Sequence, residues 1–147
     1  MTLRGGSRAG PFDRRSLTCF MFRAHLLHGE RFGPGVISPP AWAMMLALYV
    51  GEGRPVTTKA LCLSSGAPMR SALRIIDSLA MRRLLMRSPD PVDRRQVKVR
   101  LSRQAIRLMN GYFDELVELA ADPAGRRPGP GPAGCRPNRD RPMSGMA

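Results

Sequence analysis

The sequence has few aromatic residues (5%), 11 Asp and Glu against 24 Lys and Arg, and only three cysteines, at positions 19, 62 and 135. Each scarcity excludes a class of function. Three scattered thiols supply neither a disulfide framework nor the paired spacing of a cysteine metal site. The few carboxylates are dispersed, and there is no glycine-rich phosphate loop, nucleophile elbow or Ser-His-Asp set, so neither catalysis nor a cofactor or metal is expected. The longest apolar run, Ala41 to Val50, has the length of a core helix, well short of the roughly 18 to 20 residues of a membrane span. The apolar stretch from Leu17 to Phe22 is short, is interrupted by Arg23 and lacks a small-residue cleavage site, so it does not read as a secretory signal. The expected address is cytoplasmic and nucleoid-associated, without membrane contact.

What is present is one modest domain with a strong positive charge. A chain of 147 residues with 43% hydrophobic content is sufficient for a single core. A formal charge of +13 favours a polyanionic partner, nucleic acid first. Because 22 of the 24 basic residues are arginine, a codon bias would give the same total, and only position is informative. Residues 54 to 107 hold 13 basic against 3 acidic residues, whereas 108 to 120 hold 0 against 3. Residues 121 to 147 carry six Pro and five Gly with almost no large apolar side chain, and are expected to be a disordered Pro/Gly/Arg-rich tail. Residues 1 to 13, with Gly5, Gly6, Gly10 and Pro11, are expected to be disordered too, leaving a folded domain over 14 to 120.

Periodicity within that domain predicts mostly helix. Leu17, Phe20, Met21, Ala24 and Leu27 give an amphipathic helix from Arg14 to about Glu30, ended by Gly33, Pro34 and Gly35. Ser38 and Pro39 open a second helix, with Trp42, Met45, Leu46 and Tyr49 on one face and Gly51 and Gly53 closing it. Thr57 or Thr58 caps a short third helix to Leu63, with Val56 as a hydrophobic staple. Ser64, Ser65 and Gly66 turn the chain, and Pro68 starts a fourth helix whose inward stripe is Ala72, Leu73, Ile76, Leu79 and Ala80. Two short helices about a Gly-bearing turn make a helix-turn-helix. Leu84 to Arg87 and Gln96 to Leu101 then read as two strands of a hairpin, joined by a turn over Pro89 to Asp93. Ser102 caps a last helix with its stripe at Ile106, Met109, Phe113, Leu116 and Ala120.

This order is that of a winged helix: mainly α (α+β), a winged helix-turn-helix with a two-stranded β wing. A helix in the major groove needs donors at its N-terminal end, and Pro68, Met69, Arg70, Ser71 and Arg74 supply them, with two guanidiniums one turn apart. Arg94 and Arg95 at the hairpin tip suit a phosphate backbone or a minor groove. Thr57, Thr58 and Lys59 are further candidates for phosphate contacts.

The hairpin residues Asp93-x-Arg95, then five residues, then Leu101-Ser102 resemble the wing signature of the MarR family of winged-helix transcriptional regulators. Arg31-Phe32-Gly33-Pro34, Pro40-Ala41-Trp42, Leu61-Cys62, Ser65-Gly66-Ala67-Pro68 and Ala72-Leu73-Arg74 are similar to a small sphingomonad-type branch of that family. Together these motifs span about residues 31 to 113. The resemblance implies a homodimer on a pseudo-palindromic site of double-stranded DNA, with flanking dimerisation helices over 14 to 30 and 103 to 120 and scope for an unidentified small-molecule effector. It also implies that Asp93 anchors the wing and that Arg95 reaches DNA. Two positions depart from the pattern: Arg83 stands where the family has a helix-ending Gly, and Arg94 where the closer branch has Gly after the wing Asp.

Other features have plainer readings. Cys19 invites a redox-sensor role, but among Leu17, Phe20 and Met21 it reads better as a packed thiol, as does Cys62, while Cys135 falls in the tail. His25 and His28, three apart, make a poor metal pair and read as solvated. Trp42 and Tyr49 read as core anchors rather than base-stacking platforms. Two other functions remain open at this stage: a winged-helix interaction or accessory module, using Met69 and Ile75, and a nonspecific basic nucleic-acid-binding protein driven by its tail.

Overall fold

The computed structural model describes residues 12–35 and 37–122. Of the tail expected over 121 to 147, residues 123 to 147, with Cys135, lie outside the described residues, as do residues 1 to 11 of the N-terminal segment expected over 1 to 13. The elements run α1 (Arg14–Phe32), α2 (Pro39–Val50), β1 (Val56–Thr57), α3 (Thr58–Ser64), α4 (Met69–Met81), β2 (Leu85–Pro89), β3 (Val97–Leu101) and α5 (Arg103–Ala121). Contacts divide them into two units, one holding residues 12–27 and 115–122 and the other His28–Asp114.

In the larger unit α2 is the centre. Ser38 caps it, its hydroxyl accepting the Ala41 N–H, and Pro39 occupies a position whose missing N–H costs nothing. The helix carries no charged residue, and α3, α4 and β3 all pack on it. The expected face of Trp42, Met45, Leu46 and Tyr49 is only part of its buried surface, since Ala41, Met44, Met45 and Leu48 are the most enclosed. A helix apolar on all sides gives periodicity nothing to select. At its C-terminus the left-handed residues are Glu52 (φ 54°) and Gly53 (φ 75°), while Gly51 is not left-handed (φ −72°).

The helix-turn-helix forms where expected. Thr57 caps α3 by accepting the Ala60 N–H at 3.2 Å. The turn is held by Ser65, whose hydroxyl donates to the Cys62 carbonyl and accepts the Ala67 N–H, and Gly66 supplies the positive φ (67°). Ala72, Ile76 and Leu79 of α4 are buried against the core. Leu73, expected inward, is 42% exposed, because the inner stripe at 72, 76 and 79 leaves position 73 on its flank.

The sheet has three strands, not two, in the order β1-β3-β2. The two residues of β1 pair antiparallel with β3, Val56 opposite Val99, so Val56, just before the α3 cap, is also a strand residue. Two residues are too few to show an alternation in sequence. In the hairpin Leu85 opposes Leu101 and Pro89 opposes Val97. Pro89, expected in the turn, ends β2, which tolerates it as an edge strand.

Helix ends account for the remaining local choices. Ser102 caps α5, accepting the Ala105 N–H at 3.0 Å. Ala105, Met109 and Tyr112 are the buried residues of α5, and Ile106 and Phe113 of the expected stripe are half-buried beside them. Gly111 leaves room for a side chain: a Cβ there would lie 2.5 Å from Arg31 Nη1. In the smaller unit Asp13 and Ser16 cap α1 reciprocally, Ser16 N–H on Asp13 Oδ1 at 2.7 Å and Asp13 N–H on Ser16 Oγ at 2.9 Å.

Arg83, the position that departs from the family pattern, adopts the left-handed conformation itself (φ 58°). Its N–H donates to the Ala80 carbonyl and that of Leu84 to the Leu79 carbonyl, each at 2.9 Å. This is the paired hydrogen bonding of a Schellman ending, with Leu84 and Leu79 both buried beside it. Arg83→Gly is therefore expected to stabilise the fold by about 1 kcal/mol, raising the thermal midpoint by several degrees in a calorimetric comparison, whereas Arg83→Val should lower it.

Candidate nucleic-acid interface

Three segments carry the basic residues singled out by the sequence. The first turns of α4 expose Arg70, Ser71 and Arg74, with Pro68 as N-cap and Met69 following it. No side chain caps this helix start. Lys59 is exposed in the first turn of α3. Arg94 and Arg95 are exposed in the turn between β2 and β3.

The two threonines are partly committed elsewhere. Thr57 Oγ1 accepts the Ala60 N–H, which leaves its proton available to a phosphate oxygen. Thr58 Oγ1 donates to the Val97 carbonyl at 3.0 Å, so its proton ties the start of α3 to the wing strand.

The wing turn is organised by two carboxylates. Asp93 Oδ1 accepts the Arg95 N–H at 3.1 Å and its Oδ2 the Gln96 amide at 3.2 Å. Asp90, which sequence reading passed over as one more turn residue, is only 8% exposed. Its Oδ1 accepts the Val92 N–H at 2.8 Å, and its Oδ2 pairs with Lys98 Nζ at 3.0 Å. The Asp90 N–H also donates to the Gln96 carbonyl at 2.9 Å. The signal for Asp90 lay in pairing, since Lys98 is distant in sequence until the hairpin closes. A further ion pair joins Arg87 of β2 to Asp77 of α4, linking the wing strand to the helix that presents Arg70 and Arg74.

The larger unit also holds an aromatic cluster. His28 sits 4.6 Å from the Trp42 ring, 5.0 Å from Phe32 and 5.8 Å from Tyr112, centroid to centroid. It is a packed residue and not the solvated one expected, because the fold brings rings from α1, α2 and α5 around it. Trp42 and Tyr49, expected as core anchors, are half-buried and packed against other rings, Tyr49 lying tilted on Phe113 at 5.0 Å and donating its hydroxyl to Asn110 at 2.8 Å. Burial pushes the Tyr112 hydroxyl and the Cys62 thiol above their ordinary pKa values, which makes Cys62 a poor nucleophile. Among the described residues no group of His, Cys, Asp and Glu could hold a metal, and no helix is long and apolar enough to cross a membrane.

No family model and no curated protein matches the sequence. Solved structures do match. A probable transcriptional regulator from Pseudomonas aeruginosa is 27% identical, with a TM-score of 0.50 over 73% of this chain and 80% of that one. Staphylococcus aureus MepR, solved as a DNA complex, is 19% identical, with a TM-score of 0.56 over 73% and 86%. A MarR variant from Escherichia coli, complexed with operator DNA, is 17% identical, with a TM-score of 0.50 over 72% and 77%. These neighbours are regulators and not enzymes.

The Val92 N–H and, after it, Lys98 hold the Asp90 carboxyl below its ordinary 3.8. A depressed carboxylate stabilises the fold fully above the unfolded pKa, and that contribution is lost as pH falls through the lower folded value. An NMR titration of the Asp90 side-chain carbon should therefore give a midpoint below 3.8, and Lys98→Met should move that midpoint upward. A midpoint at or above 3.8 in the unmodified protein would show the wing turn to be held differently.

Proposed function

On the MarR-family winged-helix fold that the chain shares with these regulators, we propose that it is a sequence-specific regulator of transcription that binds double-stranded DNA as a homodimer. The observation that carries this reading is the exposure of Arg70, Ser71 and Arg74 on the outer side of α4, in a fold whose core is filled by the opposite side of that helix. Arg70 and Arg74 address guanine edges, for which a guanidinium offers two parallel donors. Arg94 and Arg95 on the wing, and Lys59 with Thr57 on α3, take phosphates or the neighbouring minor groove. Thr58 contributes by steadying the wing, and Asp93 by holding the backbone of the turn from which Arg95 projects.

The dimer reading is supported by the apolar surface of the smaller unit. Leu17 with Met21, and Phe22 with Leu26, are exposed pairs one turn apart on α1, and Val117 is exposed on α5. That much uncovered apolar surface on the terminal helices suits a second copy. In solution the expected mass is twice 16.2 kDa, and a doubly charged Met21→Asp, Phe22→Asp variant should sediment as the monomer.

Selection from random duplexes at physiological salt tests the function directly, because nonspecific electrostatic binding weakens steeply there while base contacts persist. The expected product is an inverted repeat with half-sites about one helical turn apart. Arg70→Ala or Arg74→Ala should cost about 1–3 kcal/mol and relax specificity at one position, whereas Arg94→Ala should weaken all sequences alike and lower the salt slope by about 1. Binding that ignores sequence and disappears when residues 121–147 are removed would favour the nonspecific reading. Failure to enrich any sequence with a folded dimer would favour an interaction module.

A further inference from the structure

The outer side of α4 carries an apolar strip that arginine chemistry leaves unused. Met69 and Leu73 are 44% and 42% exposed and stand four residues apart, so their side chains are neighbours on one face. Arg70 and Arg74 form the adjacent strip, both exposed and also four residues apart. Asp77 continues the line of Met69 and Leu73 by one more turn, and its carboxylate is engaged by the Arg87 guanidinium of β2. The acid on this line is thus paired with a cation, and the strip reads apolar, apolar, neutralised acid, with guanidiniums alongside.

The core does not require these two side chains, since Ala72, Ile76 and Leu79 fill the inner face of α4. We propose that Leu73, assisted by Met69, reads thymine, its apolar end meeting the C5-methyl group in the major groove beside the bases addressed by Arg70 and Arg74. The inference rests on the DNA-binding reading above and adds a base preference to it. Thymine is the base that offers a methyl group in the major groove, and guanine the one that offers two acceptors to a guanidinium. Two strips side by side therefore call for both bases close together. Three residues of helix advance about 4.5 Å and one base pair about 3.4 Å, which places the thymine within about two base pairs of a guanine in each half-site. Charge selects DNA over an apolar protein partner as the occupant: Arg70 and Arg74 border the strip, and the carboxylate on its own line is neutralised.

The test uses the full chain and the duplex recovered by selection. Each thymine of the half-sites is replaced in turn by uracil, which lacks only the methyl group. One thymine per half-site is expected to respond, with binding weakened about fourfold for each methyl removed, the effect of burying one such group. Leu73→Ala should bind the thymine site about as weakly as the unmodified protein binds the uracil site, and should no longer distinguish the two. Because Leu73 is half-exposed, the variant is expected to stay folded with its thermal midpoint lowered by a few degrees, and the arginine-dependent guanine preference serves as the internal control for a properly docked helix. Tight, selective binding with no uracil-sensitive position, or a uracil effect unchanged in Leu73→Ala and in Met69→Ala, overturns the thymine reading while leaving the regulator intact. Absence of any selective DNA binding overturns both, and an apolar protein partner lost on Leu73→Ala would then take the place of DNA.

Discussion

The burial of α2 is the constraint on which the larger unit depends. A twelve-residue helix without a charge has no face that prefers water, so most of it is wrapped, and Pro39, Ala47 and Val50 are its exposed residues. Helices α3 and α4 and strand β3 cover it on one part of its surface, and His28, Phe32, Tyr112 and Phe113 gather around Trp42 on another. Met44, Met45 and Leu48 are almost wholly enclosed. Removal of one would leave a cavity in a close-packed interior, a change that costs 2–5 kcal/mol in typical cores.

Wrapping α2 also decides where charge can go. The faces of α3, α4 and the hairpin that close on it are apolar, so the basic residues between 54 and 107 are driven to the opposite faces. Lys59, Arg70, Arg74, Arg94 and Arg95 are all exposed as a result. The surface is held by ordinary short-range bonds: Thr58 to Val97, Asp90 to Lys98, and Arg87 to Asp77. The last of these is solvent-exposed, a class of pair that contributes about 0–1 kcal/mol, so it orients the wing strand against α4 more than it stabilises the fold.

Helix positions and caps were legible in the sequence because their signals are local. Ser38 before Pro39, Thr57 before α3, and Ser102 before α5 each announce a helix start by a side chain that reaches a few residues along the chain. Where the decisive partner lies far away, the same reading fell short. The strand β1 exists only because β3 is there to pair with it, His28 is packed only because α2 and α5 bring rings to it, and Gly111 meets a neighbour only because the Arg31 guanidinium comes close. Asp90 looked like any aspartate of a turn until Lys98 was folded beside it.

The sequence by itself determined the winged-helix order of elements, the helix ends and the concentration of arginine in the helix-turn-helix and wing, since these follow from spacing and from residue chemistry within a few positions. Tertiary structure decided which side chains are left outside. Leu73 shows the difference: by periodicity it belongs to the inner stripe of α4, yet Ala72, Ile76 and Leu79 already occupy the surface that α2 and the sheet present. Periodicity specifies an angle around a helix axis, but burial depends on how wide the neighbouring surface is, and that width is set by elements distant in the chain.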